Sequence, residues 1–412
     1  MNRKLLTGNA AAAWGARLAR VDYMPAFPIT PQTEIVETLA AWCADGTLDG
    51  RLTVLESEHS MLTAAAAAAA TGVRVFSATS SQGLLYGMEM IFGTPGWRAP
   101  FVLVNVSRGL QSPVTLEPDH NDVLAARDSG CLQFHCASCQ EVVDAVLLAY
   151  RIAEDHRVRL PAIVNLDGFY LSFTREPVTL PTLEQADAFL PRYDAETTRF
   201  DAVAPVSQAC AVLGGGPYSY FRYETHLAAL AALEVFDAAA DEFTAHCGRH
   251  YSAVEAYCME DAEFAVCMIG SFATKAQEAV DRLREAGRRV GLVRPLLVRP
   301  FPAEALARLL CGRRAVAVID QNLSFGKGGI LAAEVASALY GRTGAPPLAS
   351  YVGGLGGRDI RAEEFYAIAD ELEQAAASGA TPPPRLLYSA DELREMRKLQ
   401  AIAHAQHREV QP

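Results

Sequence analysis

Short apolar runs alternate with helix-like segments through residues 1–180, and this alternation restricts the chain to few architectures. Leu52–Leu55, Val73–Ala78, Phe101–Val106 and Ala162–Leu166 read as strands. Between them, His59–Thr71 is alanine-rich, and Glu141–Ala153 places Val143, Val146, Leu147 and Tyr150 at i, i+3, i+4 and i+7. Short apolar strands alternating with helices predict an α/β fold with a parallel sheet covered on both faces.

Residues 181–260 read differently. Pro181, Pro191 and Pro205 interrupt the pattern and Gly214-Gly215-Gly216-Pro217 signals a turn. The stretch is expected to be a linker with one or two helices packed on the first unit. A second α/β unit, residues 261–380, opens with the strand Phe264–Ile269. Thr274 and Gln277 have capping-box spacing. Glu278 and Arg282 are spaced for an i,i+4 ion pair, and Gly287 is placed to end the helix. The strands Val290–Val293 and Ala315–Ile319 follow, with a helix from Ala303 between them. A loop containing Gly326, Gly328 and Gly329 then precedes the helix Ile330–Leu339. Residues 381–412 form a charged tail expected to carry a surface helix.

Charge and composition exclude several classes. The formal net charge of -12 argues against a nucleic-acid partner, although local basic sites for a diphosphate are compatible with it. The N-terminus lacks the apolar core of a signal peptide, and no run of about 18 apolar residues suggests a membrane span. The nine cysteines are scattered and odd in number, which predicts reduced thiols in a cytoplasmic protein.

Four segments at strand-to-helix junctions carry candidate chemistry. In Phe27-Pro28-Ile29-Thr30-Pro31-Gln32-Thr33-Glu34 the prolines set an extended turn, and Thr33 or Thr30 is placed to cap the helix that follows. Glu56-Ser57-Glu58-His59-Ser60 offers two carboxylates and a histidine. Such a carboxyl in an apolar setting suits acid catalysis, or the glutamates simply favour a helix N-terminus. Thr79-Ser80-Ser81-Gln82-Gly83 suits close approach of a ligand to backbone N–H groups, or a capped helix entrance. Asn105-Val106-Ser107-Arg108 brings an arginine to the C-terminal edge of the sheet. Its fork suits a carboxylate, unless it makes a surface salt bridge.

Taken together, these segments, with Asp119-His120-x-Asp122 and Arg127-Asp128, resemble the pyrimidine-binding (Pyr) domain of 2-oxoacid:ferredoxin oxidoreductases, the pyruvate:ferredoxin oxidoreductase family. Arg299-Pro300-Phe301-Pro302, Asn322-x-Ser324-Phe325-Gly326 and Gly353-Gly354-Leu355-Gly356-Gly357-Arg358-Asp359 resemble the family's transketolase C-terminal-like domain. The resemblance spans roughly residues 6–365. Phe27 stands where tyrosine is common.

The resemblance implies a thiamine-diphosphate enzyme that oxidatively decarboxylates a 2-oxoacid such as pyruvate or phenylglyoxylate to an acyl-CoA. Glu58 would hydrogen-bond the cofactor's aminopyrimidine ring and help to generate its carbon nucleophile. Pro28, Ile29, Ser81 and Gln82 would line the cofactor site. Thr30 and Arg108 would hold the substrate carboxylate. No Gly-Asp-Gly followed by Asn-Asn is present, Asp167-Gly168-Phe169 being the nearest string. Magnesium and the cofactor diphosphate are therefore expected on a β subunit. A γ subunit, a ferredoxin-like subunit with 4Fe-4S clusters and an NAD-linked subunit are further expected partners. Cys131, Cys136 and Cys139 have the spacing of three ligands of a plant-type ferredoxin site, with Cys210 a distant fourth, but they fall where a buried strand is expected. Two competing readings are the β subunit of a 2-oxoacid dehydrogenase E1 and an iron–sulfur electron-transfer protein.

Overall fold

A computed structural model describes residues 2–195 and 199–409. The first sheet has the strand order Leu297–Arg299, Leu132–His135, Ala162–Asp167, Val102–Ser107 and Phe76–Thr79. The last four run parallel. Tyr23–Ala26 and Arg51–Val54 form a parallel pair beside it, and Tyr23 bridges Val75 in parallel. The pair therefore extends the sheet edge.

Apolar alternation decides which face each side chain covers. Val102, Val104 and Val106 point into one core, with the helices Gly8–Leu18 and Cys139–Ala153 over them. These two helices meet closely, because a Cβ on Gly15 would lie 2.7 Å from Val146 Cβ. Phe101, Leu103 and Ile163 point the other way, into a core shared with Met61 and Leu62 and with Val316 and Val318 of the second unit. The expected strand Val73–Ala78 begins only at Phe76. Upstream, the backbone N–H of Arg74 donates to Asp22 and its guanidinium to Glu154, both at 2.7 Å.

The second sheet has the order Arg385–Leu386, Leu348–Val352, Ala315–Asp320, Phe264–Cys267, Val290–Pro295 and Val254–Tyr257. All neighbours are parallel except the last pair. Val254–Tyr257 thus corrects the expected linker of 181–260, whose final residues belong to the second sheet. Conversely, Leu297–Arg299 leaves the second unit and pairs with the first sheet. Between the units lie the helix Leu183–Phe189 and a 33-residue helix, Gly215–Cys247. The latter packs Ala232, Phe236 and Phe243 into the first core. The tail helix, Ala390–Glu409, leaves Leu399 and Ile402 exposed. Among the described residues no helix is long and apolar enough to cross a membrane.

Several local expectations are corrected. The helix Thr33–Ala44 is capped by Gln32 without a side-chain bond, so neither Thr30 nor Thr33 caps it. Gln32 instead donates to the Phe27 carbonyl. The helix Ala273–Glu285 starts one residue before Thr274, whose hydroxyl donates back to the Ser271 carbonyl, so no capping box forms. Arg282 pairs with Glu285 rather than Glu278.

Candidate active site

The strands Tyr23–Ala26, Arg51–Val54, Phe76–Thr79 and Val102–Ser107 all run in the same direction. Their C-terminal ends therefore open on one edge, the usual ligand crevice of an α/β sheet. Each end leads into one of the four candidate segments.

Arg108 is only 9 % exposed and forms no ion pair among the described residues, which removes the surface salt bridge. Its Nη1 donates to the Thr30 carbonyl at 2.7 Å and its Nη2 to Gln82 Oε1. Its Nε is buried without a partner. Burial lowers its pKa, opposed by the nearby Asp122 carboxylate, but a guanidinium retains its charge. Thr30, Gln82 and Arg108 are therefore brought together, with Thr30 contributing its carbonyl. Pro28 and Thr30 are exposed and Ile29 half-buried, so this loop forms the rim. Phe27 packs against the shared core.

Glu58 is the first residue of the helix Glu58–Ala70, whose cap is Ser57, its hydroxyl accepting from the Ser60 N–H at 3.2 Å. That helix start sorts the neighbouring ionisable groups. Glu56 faces solvent and accepts from Ser60, and His59 meets Glu89 at 3.1 Å on the surface. Glu58 turns inward and is 6 % exposed, and its carboxyl makes no hydrogen bond among the described residues. A Cβ on Gly83 would lie 2.6 Å from Glu58 Oε1 and 2.5 Å from Thr79 Oγ1. The hydroxyls of Thr79 and Ser80 are buried without partners. Leaving a buried polar group unsatisfied costs about 1–3 kcal/mol. Two such hydroxyls, with the inward-facing Glu58 carboxyl and the space left by Gly83, fit a ligand with its own donors and acceptors, as the aminopyrimidine end of thiamine diphosphate has.

Ser81 stands at the bend, with φ at +48°. Its hydroxyl lies 3.0 Å from the Gly109 carbonyl and 2.8 Å from Gln82 Oε1. Its N–H donates to Asp122 Oδ2 at 3.0 Å. The same oxygen accepts from Asn105 Nδ2 at 3.1 Å and the Arg108 N–H at 3.2 Å, while Oδ1 accepts from Ser107 Oγ and the Val123 N–H, both at 2.7 Å. Burial pushes the Asp122 carboxyl up, against the hydrogen bonds from Ser107 and Asn105. Asp122 belongs to a string noted in the sequence but given no role there, and its position after Arg108 carries no local signal of these contacts.

A second buried cluster joins the two units behind this edge. His120 Nε2 lies 2.6 Å from Asp167 Oδ1, with both side chains fully buried, and the Ser271 N–H donates to Asp167 Oδ2 at 2.8 Å. Burial disfavours charge on His120, but Asp167 outweighs it and raises the imidazole pKa. Gly270, at φ +79°, allows the approach, since a Cβ there would meet His120 Cε1 at 2.7 Å.

Cys131, Cys136 and Cys139 are buried free thiols flanking the strand Leu132–His135. Cys131 donates to the Ile91 carbonyl at 3.6 Å, and Cys139 approaches the Thr174 carbonyl at 3.6 Å. Burial pushes the Cys131 thiol up to about 12, which opposes thiolate ligation. Among the described residues no group of three or more His, Cys, Asp or Glu side chains is arranged to hold a metal ion.

Comparison with known proteins matches this architecture. Residues 14–239 match the family model for pyruvate flavodoxin/ferredoxin oxidoreductase, thiamine diphosphate-binding. Residues 262–365 match pyruvate:ferredoxin oxidoreductase core domain II. The chain is 39 % identical over 375 residues to pyruvate synthase subunit PorA of Methanothermobacter thermautotrophicus, covering 91 % of this chain and 96 % of that one. It is 40 % identical over 378 residues to ketoisovalerate oxidoreductase subunit VorA of Pyrococcus horikoshii, covering 92 % and 95 %. Its fold is similar to that of a solved 2-oxoglutarate:ferredoxin oxidoreductase from Magnetococcus marinus, with a TM-score of 0.67 at 18 % identity. That likeness covers 91 % of this chain and 65 % of the other. The chain therefore belongs to the pyruvate flavodoxin/ferredoxin oxidoreductase family, its first unit being that family's thiamine-diphosphate-binding domain.

Proposed function

We propose that this chain is the α subunit of a coenzyme A-dependent 2-oxoacid:ferredoxin oxidoreductase that converts a 2-oxoacid to an acyl-CoA and carbon dioxide. The observation that carries this reading is the inward-facing, unpartnered Glu58 carboxyl beside Gly83, whose segment follows the strand next to the one that leads into the buried Arg108. The family match and the relatives, named as subunits of pyruvate synthase and of ketoisovalerate oxidoreductase, support it over the E1 and electron-transfer alternatives.

When bound, thiamine diphosphate supplies the carbon nucleophile and the electron sink for decarboxylation. The residues of this chain supply position and charge. Glu58 presents a carboxyl that exchanges a proton with a ring nitrogen at the sheet edge. Thr79, Ser80, Ser81 and Gln82 offer hydroxyl and amide groups along the same wall, with Pro28 and Ile29 at its rim. Arg108 offers two donors to the substrate carboxylate, a contact worth roughly 1.5–3 kcal/mol, with Thr30 beside it.

The rest of the active site is assigned to partner subunits. A β subunit would hold magnesium and the diphosphate, and a γ subunit and a ferredoxin-like subunit would carry electrons onward through 4Fe-4S clusters. Exposed apolar side chains around the crevice, including Val54, Tyr86, Val114 and Leu116, support a partner packed on this edge. The test is to purify the chain with its co-expressed partners. The complex would then receive pyruvate, 2-oxoisovalerate or phenylglyoxylate with coenzyme A and a viologen dye. Acyl-CoA formation with dye reduction is expected for at least one substrate. A fully loaded complex that reduces no dye with any 2-oxoacid would overturn the assignment.

A further inference from the structure

We propose that Asp122 is a positioning residue for 2-oxoacid binding: its buried carboxylate ties together the ends of two adjacent strands and so aims the Arg108 guanidinium. The role rests on the reading of Arg108 as the group that receives the substrate carboxylate.

The ladder between Phe76–Thr79 and Val102–Ser107 ends where Thr79 stands opposite Asn105. Ser81 and Arg108 lie beyond it, where no strand pairing holds the backbones together. Asp122 takes over there. One oxygen, Oδ2, accepts the N–H groups of both Ser81 and Arg108, and the Asn105 amide as well. Ser81 adopts φ +48°, a conformation that non-glycine residues rarely hold without outside support. In that conformation the next residue, Gln82, directs Oε1 to Arg108 Nη2. A single carboxylate thus sets the backbone of Arg108 directly and its side chain through Ser81 and Gln82. Asp122 is itself fixed by the second unit, since the His120 N–H donates to the Gln321 carbonyl at 2.8 Å and Asn121 Oδ1 accepts the Leu323 N–H at 3.1 Å.

The experiment is Asp122→Asn in the enzyme assembled with its partners, alone and combined with Arg108→Ala. The carboxamide keeps the volume but offers one acceptor oxygen where two served five donors. The Michaelis constant for the 2-oxoacid is expected to rise about tenfold, the order of one charge-assisted contact, with a smaller change in kcat. Thiamine diphosphate affinity by calorimetry, which also draws on Ser81 and Gln82, is expected to fall by a smaller factor than the Michaelis constant rises. In the Arg108→Ala background the asparagine is expected to add nothing, because coupled residues are not additive. Asp122→Glu, which keeps the charge but displaces it, is expected to behave like the asparagine, and either variant that assembles decides the matter. An unchanged Michaelis constant, additive effects in the double variant, or failure of both variants to assemble would overturn the positioning role. A wild-type complex inactive with every 2-oxoacid would instead fail the functional assignment.

Discussion

Arg108 donates to the side-chain oxygen of Gln82, joining two residues 26 positions apart at the ends of neighbouring parallel strands. The other arm of the fork reaches the Thr30 carbonyl. One buried cation therefore gathers three of the four motifs onto one edge.

Replacing Arg108 is expected to weaken substrate use far more than cofactor binding. Arg108→Ala should raise the Michaelis constant for the 2-oxoacid about 10–150-fold, corresponding to roughly 1.5–3 kcal/mol. Arg108→Lys should recover only part of this, since lysine has no planar fork. Steady-state kinetics on the assembled enzyme check it, and an unaltered Michaelis constant in the alanine variant would remove Arg108 from the carboxylate site.

Glu58→Gln is expected to lower turnover by about 10²–10⁴-fold, the usual contribution of a positioned acid or base. The fold should tolerate it, because the Glu58 carboxyl makes no internal hydrogen bond among the described residues to lose. Loss of its charge at the helix start costs only about 0.3–1 kcal/mol. Thermal melting and turnover measured together separate the two effects, and near wild-type turnover would sink the role.

Gly83→Ala probes the space beside Glu58. The added Cβ would lie 2.6 Å from Glu58 Oε1 and 2.5 Å from Thr79 Oγ1, within the short helix Gln82–Tyr86. Overpacking of about 1–3 kcal/mol should displace the carboxyl and weaken thiamine diphosphate binding by about 5–150-fold. Calorimetry on the assembled enzyme measures this. Undiminished affinity would mean that the cofactor does not use this wall.

The separate chain is expected to bind neither iron nor thiamine diphosphate tightly and to show no turnover. Adding the β subunit should create the cofactor site and raise the melting temperature of this chain, because a ligand that binds only the assembled state stabilises it by mass action. Calorimetry with the chain alone and then with the reconstituted pair distinguishes the outcomes. Tight cofactor binding and decarboxylation by the lone chain would contradict a shared active site.

The sequence by itself determined the alternation of the central strands with helices and the places where chemistry gathers. A parallel strand buried on both faces must be continuously apolar, so Val102–Ser107 and Ala162–Asp167 were legible within a residue of their ends. The glycines before Ile330 marked the start of that helix because glycine favours loops over helix interiors. The motif strings pointed to the family by resemblance. Only the tertiary structure decided which of Glu56 and Glu58 faces inward, that Arg108 is buried, and that Asp122 holds two strand ends. It also gave Val254–Tyr257, from the expected linker, to the second sheet and Leu297–Arg299, from the second unit, to the first. The reason is one of range. Periodicity, turns and glycine act between near neighbours in the chain and leave a pattern there. A buried carboxylate's donors and a strand's partner are supplied by residues that only packing brings together, and composition around either residue does not record them.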